Sequence, residues 1–200
     1  MRHPQVLRGI MVEANRRTLM LAALGIAIAG IAAEKTPARA ETGPAAPIEA
    51  LDDALLEVMK AGDAGAPFGR RCAMLAPVID QTFDLETVLK NSIGSRWESL
   101  APEAKAQVLM KFRRYTVATY VANFDSWSGQ SFRVSPDIRT SGEEAIVQAE
   151  IVKADESCTM LNYVMRQTPS GWKVVDVLAD GAVSRLASRN VSALVEGALA

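Results

Sequence analysis

Residues 102–135 read PEAKAQVLMKFRRYTVATYVANFDSWSGQSFRVS, and this stretch decides the fold class because its periodicity changes partway along. Pro102 suits the first turn of a helix, and apolar residues then recur at helical spacing as far as Phe124. After a turn that contains a glycine, Phe132 and Val134 alternate with polar residues, as in a strand with one buried face. The stretch therefore predicts a long helix followed by the first strand of a sheet.

Three shorter helices are predicted before this stretch. Apolar residues recur at helical spacing over residues 48–60, and the same pattern continues over residues 70–83. Pro77 lies inside the second segment and is expected to kink or split it. Asp84 can cap a further short helix, which Gly94 should end.

Strand patterns follow the long helix. Apolar and polar residues alternate over residues 147–151 and 161–165, and a last strand is predicted over residues 172–178. Residues 168–171 (TPSG) form a turn, so the last two strands should pair as an antiparallel hairpin. A final helix is predicted over residues 183–199. Helices, then about four antiparallel strands, then a helix indicate an α+β fold, with helices on one face of a curved sheet.

The first forty residues have the features of a signal peptide. Positive charge at Arg8 and at Arg16-Arg17 precedes an apolar run over residues 19–33, and Ala38-Arg39-Ala40 offers small residues at a cleavage site. The run is shorter than the roughly 20 residues that a membrane span needs. We therefore predict cleavage after residue 40, with a retained N-terminal anchor as the alternative. The arginine pair also resembles a twin-arginine signal, so either secretion route stays open.

The composition of the mature chain excludes several classes of function. Residues 41–47 are predicted to be a disordered leader, and residues 48–200 a single domain. The signal segment holds six of the 22 basic residues, two of the 23 acidic residues and the only histidine, His3. The remaining chain has a net charge of −5, which argues against a nucleic-acid partner. Without histidine, Ser-His-Asp and Cys-His sites are excluded, and no metal site or cofactor is predicted.

The two cysteines allow two interpretations. Cys72 and Cys158 would meet an oxidising compartment after export, so one disulfide is a reasonable hypothesis. The alternative is a pair of separate buried thiols that behave as small apolar residues.

Two charged positions are also open to alternatives. Asp176 lies in an apolar strand, where it is either a general base in a cavity or the structural partner of Arg166 or Arg185. Arg113-Arg114 in the long helix is either a solvated face or an anchor for an anionic headgroup. All eleven aromatic residues lie in the mature chain, and their spacing alone does not distinguish a filled core from a hollow one.

Two segments carry a resemblance to a known family. Residues 112–132, which begin FRRYT, resemble the central helix and first strand of the MlaC-type family, also called the toluene-tolerance family. Residues 171–185 (GWKVVDVLADGAVSR) are similar to its closing segment, and the likeness covers about residues 48–195. The branch of this family that the chain resembles most is the hopanoid-biosynthesis-associated HpnM branch, through the sequences FRRYTVATYVANFD and DVLADGAVSR.

The resemblance implies an NTF2-like fold with an apolar cavity between the helices and the sheet. MlaC-type proteins are soluble periplasmic carriers that hold the acyl chains of phospholipids. They pass lipid between an inner-membrane ABC transporter and an outer-membrane lipoprotein complex. HpnM-type proteins are associated with hopanoid or lipid movement, again with a membrane transporter as partner.

These observations together predict a periplasmic lipid-binding shuttle without enzymatic activity. Its cavity is predicted to be lined by Val88, Ile93, Trp97, Phe112, Tyr115, Tyr120, Leu161, Tyr163 and Val177. One alternative is an isomerase-like enzyme on the same broad fold, in which Asp176 works with Tyr115 or Tyr163. The other alternative is an adaptor that binds no lipid and has a filled core.

Overall fold

The computed structural model describes residues 43–178 and the backbone of residues 179, 182 and 183. The predicted signal peptide lies outside the described residues, as does the final helix predicted over residues 183–199 beyond its first residue. Five helices precede the sheet: α1 (Ala46–Asp63), α2 (Phe68–Thr82), α3 (Leu85–Ile93), α4 (Arg96–Ser99) and α5 (Pro102–Asn123). None of these described helices is long and apolar enough to cross a membrane.

The strands form one curved antiparallel sheet. They are β1 (Ser131–Val134), β2 (Arg139–Ser141), β3 (Glu144–Val152), β4 (Cys158–Thr168), β5 (Gly171–Ala179) and β6 (Ala182–Val183). Their order is β1-β3-β4-β5-β6, and β2 pairs with the free end of β3. The α+β prediction is thereby confirmed, including the hairpin of β4 and β5, whose register joins Thr168 to Gly171.

The structure corrects the number and limits of several elements. The described residues contain six strands where about four were expected, because β2 and β6 were not predicted. Val183 belongs to β6, so it does not begin a helix. The short helix α4 was not predicted either. Pro77 does not split α2. The proline leaves the carbonyl of Ala73 without its helical hydrogen bond, but both residues are exposed, so water can satisfy that carbonyl.

The start of α1 also differs from its predicted position. The helix begins at Ala46, inside the segment 41–47 that was assigned to a leader. Pro47 explains the early start, because proline has a favourable φ in the first helical turn and its missing N–H has no intrahelical partner to lose.

One face of the sheet is covered by the helices, and the core lies between the two layers. It is built from Leu51 and Leu55 of α1, Ile79 of α2, Val147 of β3 and Met165 of β4, each at most 1% exposed. Burial of each such side chain contributes about 1.5–3 kcal/mol. The layers are also joined by backbone: the N–H of Asp84, just before α3, donates to the carbonyl of Val174 on β5 at 2.9 Å.

Asp84 also begins α3, as predicted from the sequence. One carboxylate oxygen accepts the N–H of Thr87 at 3.0 Å, and the other accepts its hydroxyl at 2.7 Å. We expect Asp84→Ala to lower the free energy of unfolding by about 1 kcal/mol in urea titrations, because these donors lose their acceptor. Asp84→Asn should retain most of that stability, since asparagine caps as well as aspartate. An Asp84→Ala variant as stable as wild type would show that the cap does not stabilise α3.

Candidate ligand-binding site

The nine side chains predicted to line a lipid cavity belong to one apolar cluster between the helices and the sheet. Trp97, Phe112 and Tyr163 are buried, with 5%, 4% and 1% of their surface exposed. The other six are partly buried and pack against this cluster: Val88, Ile93, Tyr115, Tyr120, Leu161 and Val177. The fold therefore brings the predicted residues together. Their contact with lipid stays a prediction.

Local structure explains how these residues share one side of the sheet. Tyr163 lies directly opposite Val177 in the register of β4 and β5, so both side chains point to the same face. Leu161 lies two residues before Tyr163 on β4 and faces the same way. The helices that cover this face supply the remaining members.

An aromatic row extends from this cluster to the edge strand β1; it consists of Phe83, Tyr120, Phe124 and Phe132. The ring centroids of successive members are 5.8, 6.2 and 5.9 Å apart. These separations are typical of favourable aromatic pairs, which contribute about 0.5–1.5 kcal/mol each. The row gives the cluster a continuous apolar path from the start of α3 to β1.

A buried carboxylate lies beside this path. Asp52 of α1 is only 5% exposed, and neither of its side-chain oxygens has a hydrogen-bond partner. Burial, with smaller contributions from the charges of Asp53 and then Glu49, raises the pKa of Asp52 to about 7. An unpartnered carboxylate at such a position is unfavourable for folding, which makes it a candidate for a functional role.

Asp52 is close enough to two members of the predicted cavity to affect their ionisation. The pKa of Tyr120 is raised by burial first and by the charge of Asp52 second. The pKa of Tyr163 is raised by burial, then by Tyr120 and then by Asp52. No hydrogen bond joins either tyrosine to the carboxylate oxygens of Asp52. The three residues interact electrostatically without hydrogen bonds between Asp52 and the tyrosines.

A small pocket opens beside Asp52, between α1 and β1. Its volume is about 180 Å³, and its walls are formed by Glu49, Asp52, Asp53, Leu56, Phe132 and Val134. The acidic residues of the lining come from α1, and its apolar residues come from both elements. We refer to it below as the α1–β1 pocket.

The geometry does not bring together Asp176 and Tyr163, one of the two acid–base pairs of the isomerase alternative. One oxygen of Asp176 accepts the backbone N–H of Val177 at 2.8 Å. Val177 faces Tyr163, so Asp176, its neighbour on β5, points to the opposite side of the sheet from that tyrosine. The structural alternative is not formed with Arg166 either, because Arg166 pairs with a glutamate of β3. The remaining candidate, Arg185, lies outside the described residues.

The structure also bears on the two cysteines and on the arginine pair of the long helix. Cys72 is half-buried on α2 and Cys158 is exposed at the start of β4; both are free thiols, so the disulfide is not formed. Arg113 does not present its guanidinium to solvent alone, because it forms two hydrogen bonds, of 2.6 and 2.5 Å, with the carboxylate of Asp80. This pair joins α5 to α2, whereas Arg114 is exposed. Among the described residues, no group of acidic or cysteine side chains could hold a metal ion.

The sequence contains a signal for Asp52 that apolar periodicity alone does not capture. Ile48, Leu51 and Leu55 define the buried stripe of α1, and residue 52 falls within that stripe at the i+4 position from Ile48. An acidic residue at a core position is rare unless it is paired or functional. Phe132 was assigned to the inward face of β1, but its place in a pocket required the register of the sheet.

The chain is similar to known proteins in sequence and in fold. A family model described as MlaC protein matches residues 49–192 of the chain. Among solved structures, a phospholipid-binding protein from Ralstonia solanacearum, determined in complex with a phospholipid, is similar with a TM-score of 0.66. The two sequences are 20% identical, and the similarity covers 78% of this chain and 95% of that chain. Comparison with curated proteins yields no match.

Proposed function

Because its residues 49–192 match the family model, the chain belongs to the MlaC family, and from that premise we propose that it is a periplasmic phospholipid-binding carrier. The observation that supports this proposal best is the cluster of nine predicted lining residues, which lies between helices and sheet in a fold shared with a phospholipid-binding protein. Aliphatic and aromatic side chains dominate that cluster, as lipid tails require.

The physical requirement on such a carrier is enclosure. A diacyl lipid has about 30 methylene groups, and exposing them to water at about 0.8 kcal/mol each would cost on the order of 24 kcal/mol. A carrier must therefore surround the chains with apolar side chains, and it needs no catalytic group. The aromatic row supplies a continuous apolar wall of this kind.

The finer parts of the proposal come from the sequence. The signal peptide predicted over residues 1–40 would deliver the domain to the periplasm, where a carrier between two membranes is useful. We propose an inner-membrane transporter complex as one partner and an outer-membrane lipoprotein complex as the other. The likeness to the HpnM branch suggests hopanoid-type lipid as a second cargo class. Cell fractionation with antibody detection tests the compartment.

Lipid extraction tests the cargo. We expect mass spectrometry of extracts from the gently purified protein to show phospholipid, hopanoid-type lipid or both. The delipidated protein should then take up a fluorescent phospholipid from vesicles. Protein that is empty as purified and takes up no labelled lipid would contradict the proposal.

A bulky substitution tests the predicted lining. Val88→Trp on α3 should exclude about two methylene groups of a bound chain, which weakens phospholipid binding roughly tenfold. Met110→Trp is the matched control, because Met110 is 50% exposed on α5 and the added ring should reach solvent. Circular dichroism would verify that both variants fold. Equal affinities for the two variants would place Val88 outside the cavity wall.

A further inference from the structure

The α1–β1 pocket concentrates negative charge, and the helix dipole favours only Glu49, which lies in the first turn of α1. Glu49, Asp52 and Asp53 lie at i, i+3 and i+4 on α1, where like charges repel and weaken a helix. In the described part of the chain, no Lys or Arg forms an ion pair with any of the three. The ion pair that α1 does contain joins Glu57 and Lys60 near its other end. The cluster therefore lacks a cationic partner from this part of the protein.

Among the three acidic residues, Asp52 most needs a partner. Its carboxylate is almost fully buried, lines the pocket and accepts no hydrogen bond. The raised pKa of Asp52 is consistent with this environment, because each of its causes, burial and then two neighbouring carboxylates, opposes the negative charge. A ligand with a positive charge and N–H donors would neutralise the Asp52 carboxylate and satisfy its hydrogen-bond acceptors.

The remaining walls restrict the size and shape of that ligand. Leu56, Phe132 and Val134 are apolar, and the ring of Phe132 can attract a cation through its face. The volume of about 180 Å³ is below the roughly 300–1,000 Å³ of pockets for drug-sized molecules. The pocket therefore suits one small polar group and is too small for an acyl chain.

The pocket also lies next to the predicted lipid path. Phe132 is both a wall of the pocket and the last member of the aromatic row, and the charge of Asp52 reaches Tyr120 and Tyr163. A ligand whose polar end occupies the pocket would thus have apolar side chains beside its other end.

We propose that the α1–β1 pocket binds the primary ammonium group of an amine-bearing ligand, with Asp52 as the hydrogen-bond acceptor and Glu49 and Asp53 as supporting charges. A primary ammonium fits better than a quaternary one, because it has three N–H donors for carboxylate oxygens. The described residues offer no cluster for a metal ion. This inference rests on the proposed lipid-binding function where the amine belongs to a lipid headgroup; a free small amine has the same chemistry.

The test compares lipids that differ only in their headgroup. The delipidated full domain is titrated with vesicles that contain phosphatidylethanolamine, phosphatidylcholine or phosphatidylglycerol with identical acyl chains. We expect the phosphatidylethanolamine to bind most tightly. Asp52→Asn should weaken its binding roughly ten- to hundredfold, because a charge-assisted hydrogen bond is lost, and should change phosphatidylglycerol binding less than about twofold. Asp53→Asn should act in the same direction with a smaller effect, since Asp53 is exposed.

Glu57→Gln is the matched control, because it removes a carboxylate from the same helix without altering the pocket. Ethanolamine alone distinguishes the sources: saturable binding that Asp52→Asn abolishes, without a preference among the lipids, would support a free amine as the ligand. Equal binding of the three lipids to wild type and variants, with no ethanolamine binding, would overturn the inference and leave the carrier function intact. Failure of all three lipids to bind would contradict the carrier function instead.

Discussion

Asp52→Asn is expected to gain stability relative to wild type as the pH rises. Between pH 4 and pH 8, the free energy of unfolding of the variant minus that of wild type should increase by roughly 3–4 kcal/mol. The expectation follows from the pKa of Asp52, which burial and two neighbouring carboxylates raise from 3.8 to about 7. Asparagine has nearly the same shape and carries no charge at any pH. Urea denaturation of both proteins at several pH values measures the difference directly.

The sign of the effect comes from proton binding. Between pH 3.8 and about 7 the folded state holds a proton on Asp52 that the unfolded state has released. Rising pH therefore favours unfolding across this window, and the stability contribution of Asp52 is fully present only below the unfolded pKa. Above the folded pKa the charge is buried without a partner, and the loss of stability is complete.

Glu57→Gln provides the control for this prediction. It removes an exposed carboxylate of the same helix whose charge is not among the causes of the raised pKa of Asp52, so its effect should stay within about 1 kcal/mol, the value of a surface ion pair, with little change between pH 5 and pH 8. If wild type and Asp52→Asn lose stability in parallel between pH 4 and pH 8, then Asp52 is not a buried titrating group in the folded protein. Saturation of the α1–β1 pocket with an amine should reduce the difference, because the cation stabilises the carboxylate.

Much of the fold was predictable because its boundaries depend on local chemistry. Pro102 begins α5 within its first turn, and Asp84 and Gly94 bound α3 as expected. The alternation around residues 147–151 and 161–165 identified β3 and β4, since each strand buries one face. These signals act over a few residues and do not require knowledge of distant contacts.

The elements that were missed lack such signals. All three residues of β2 are exposed, so no apolar alternation indicates a strand there, and only pairing with β3 defines it. The four residues of α4 are too few to show a helical period. The effect of Pro77 depended on whether its helix face meets water, which is a tertiary property.

The candidate site was predictable only in part for the same reason. The apolar members of the cluster follow from periodicity, and the resemblance to the MlaC family selected nine of them. The α1–β1 pocket depends on two elements that are about 80 residues apart in sequence, and on a carboxylate that apolar periodicity ignores. An acidic residue inside a buried helical stripe, such as Asp52, is nevertheless visible in the sequence and indicates a buried polar site.

Phe112→Ala is expected to lower the free energy of unfolding of the lipid-free protein by about 3–5 kcal/mol, the usual cost of removing a buried aromatic ring. Phe112 is 4% exposed on α5 and belongs to the main hydrophobic cluster, so the protein itself supplies most of its contacts. Phe68→Ala is the matched control: Phe68 is 46% exposed and makes one cation–π contact with Arg71, so its loss should cost about 1 kcal/mol or less.

Urea denaturation with and without bound phospholipid separates two roles of Phe112. If the ring is packed by protein, Phe112→Ala lowers the free energy of unfolding by the full amount in the lipid-free protein. If the ring touches only lipid, the substitution lowers stability only when lipid is bound. A loss below about 1 kcal/mol without lipid would contradict the packing assignment, because truncation of a ring packed by protein leaves a cavity. A full loss without lipid, together with weaker phospholipid binding, would show that the same ring supports the core with one side and contacts the cargo with the other.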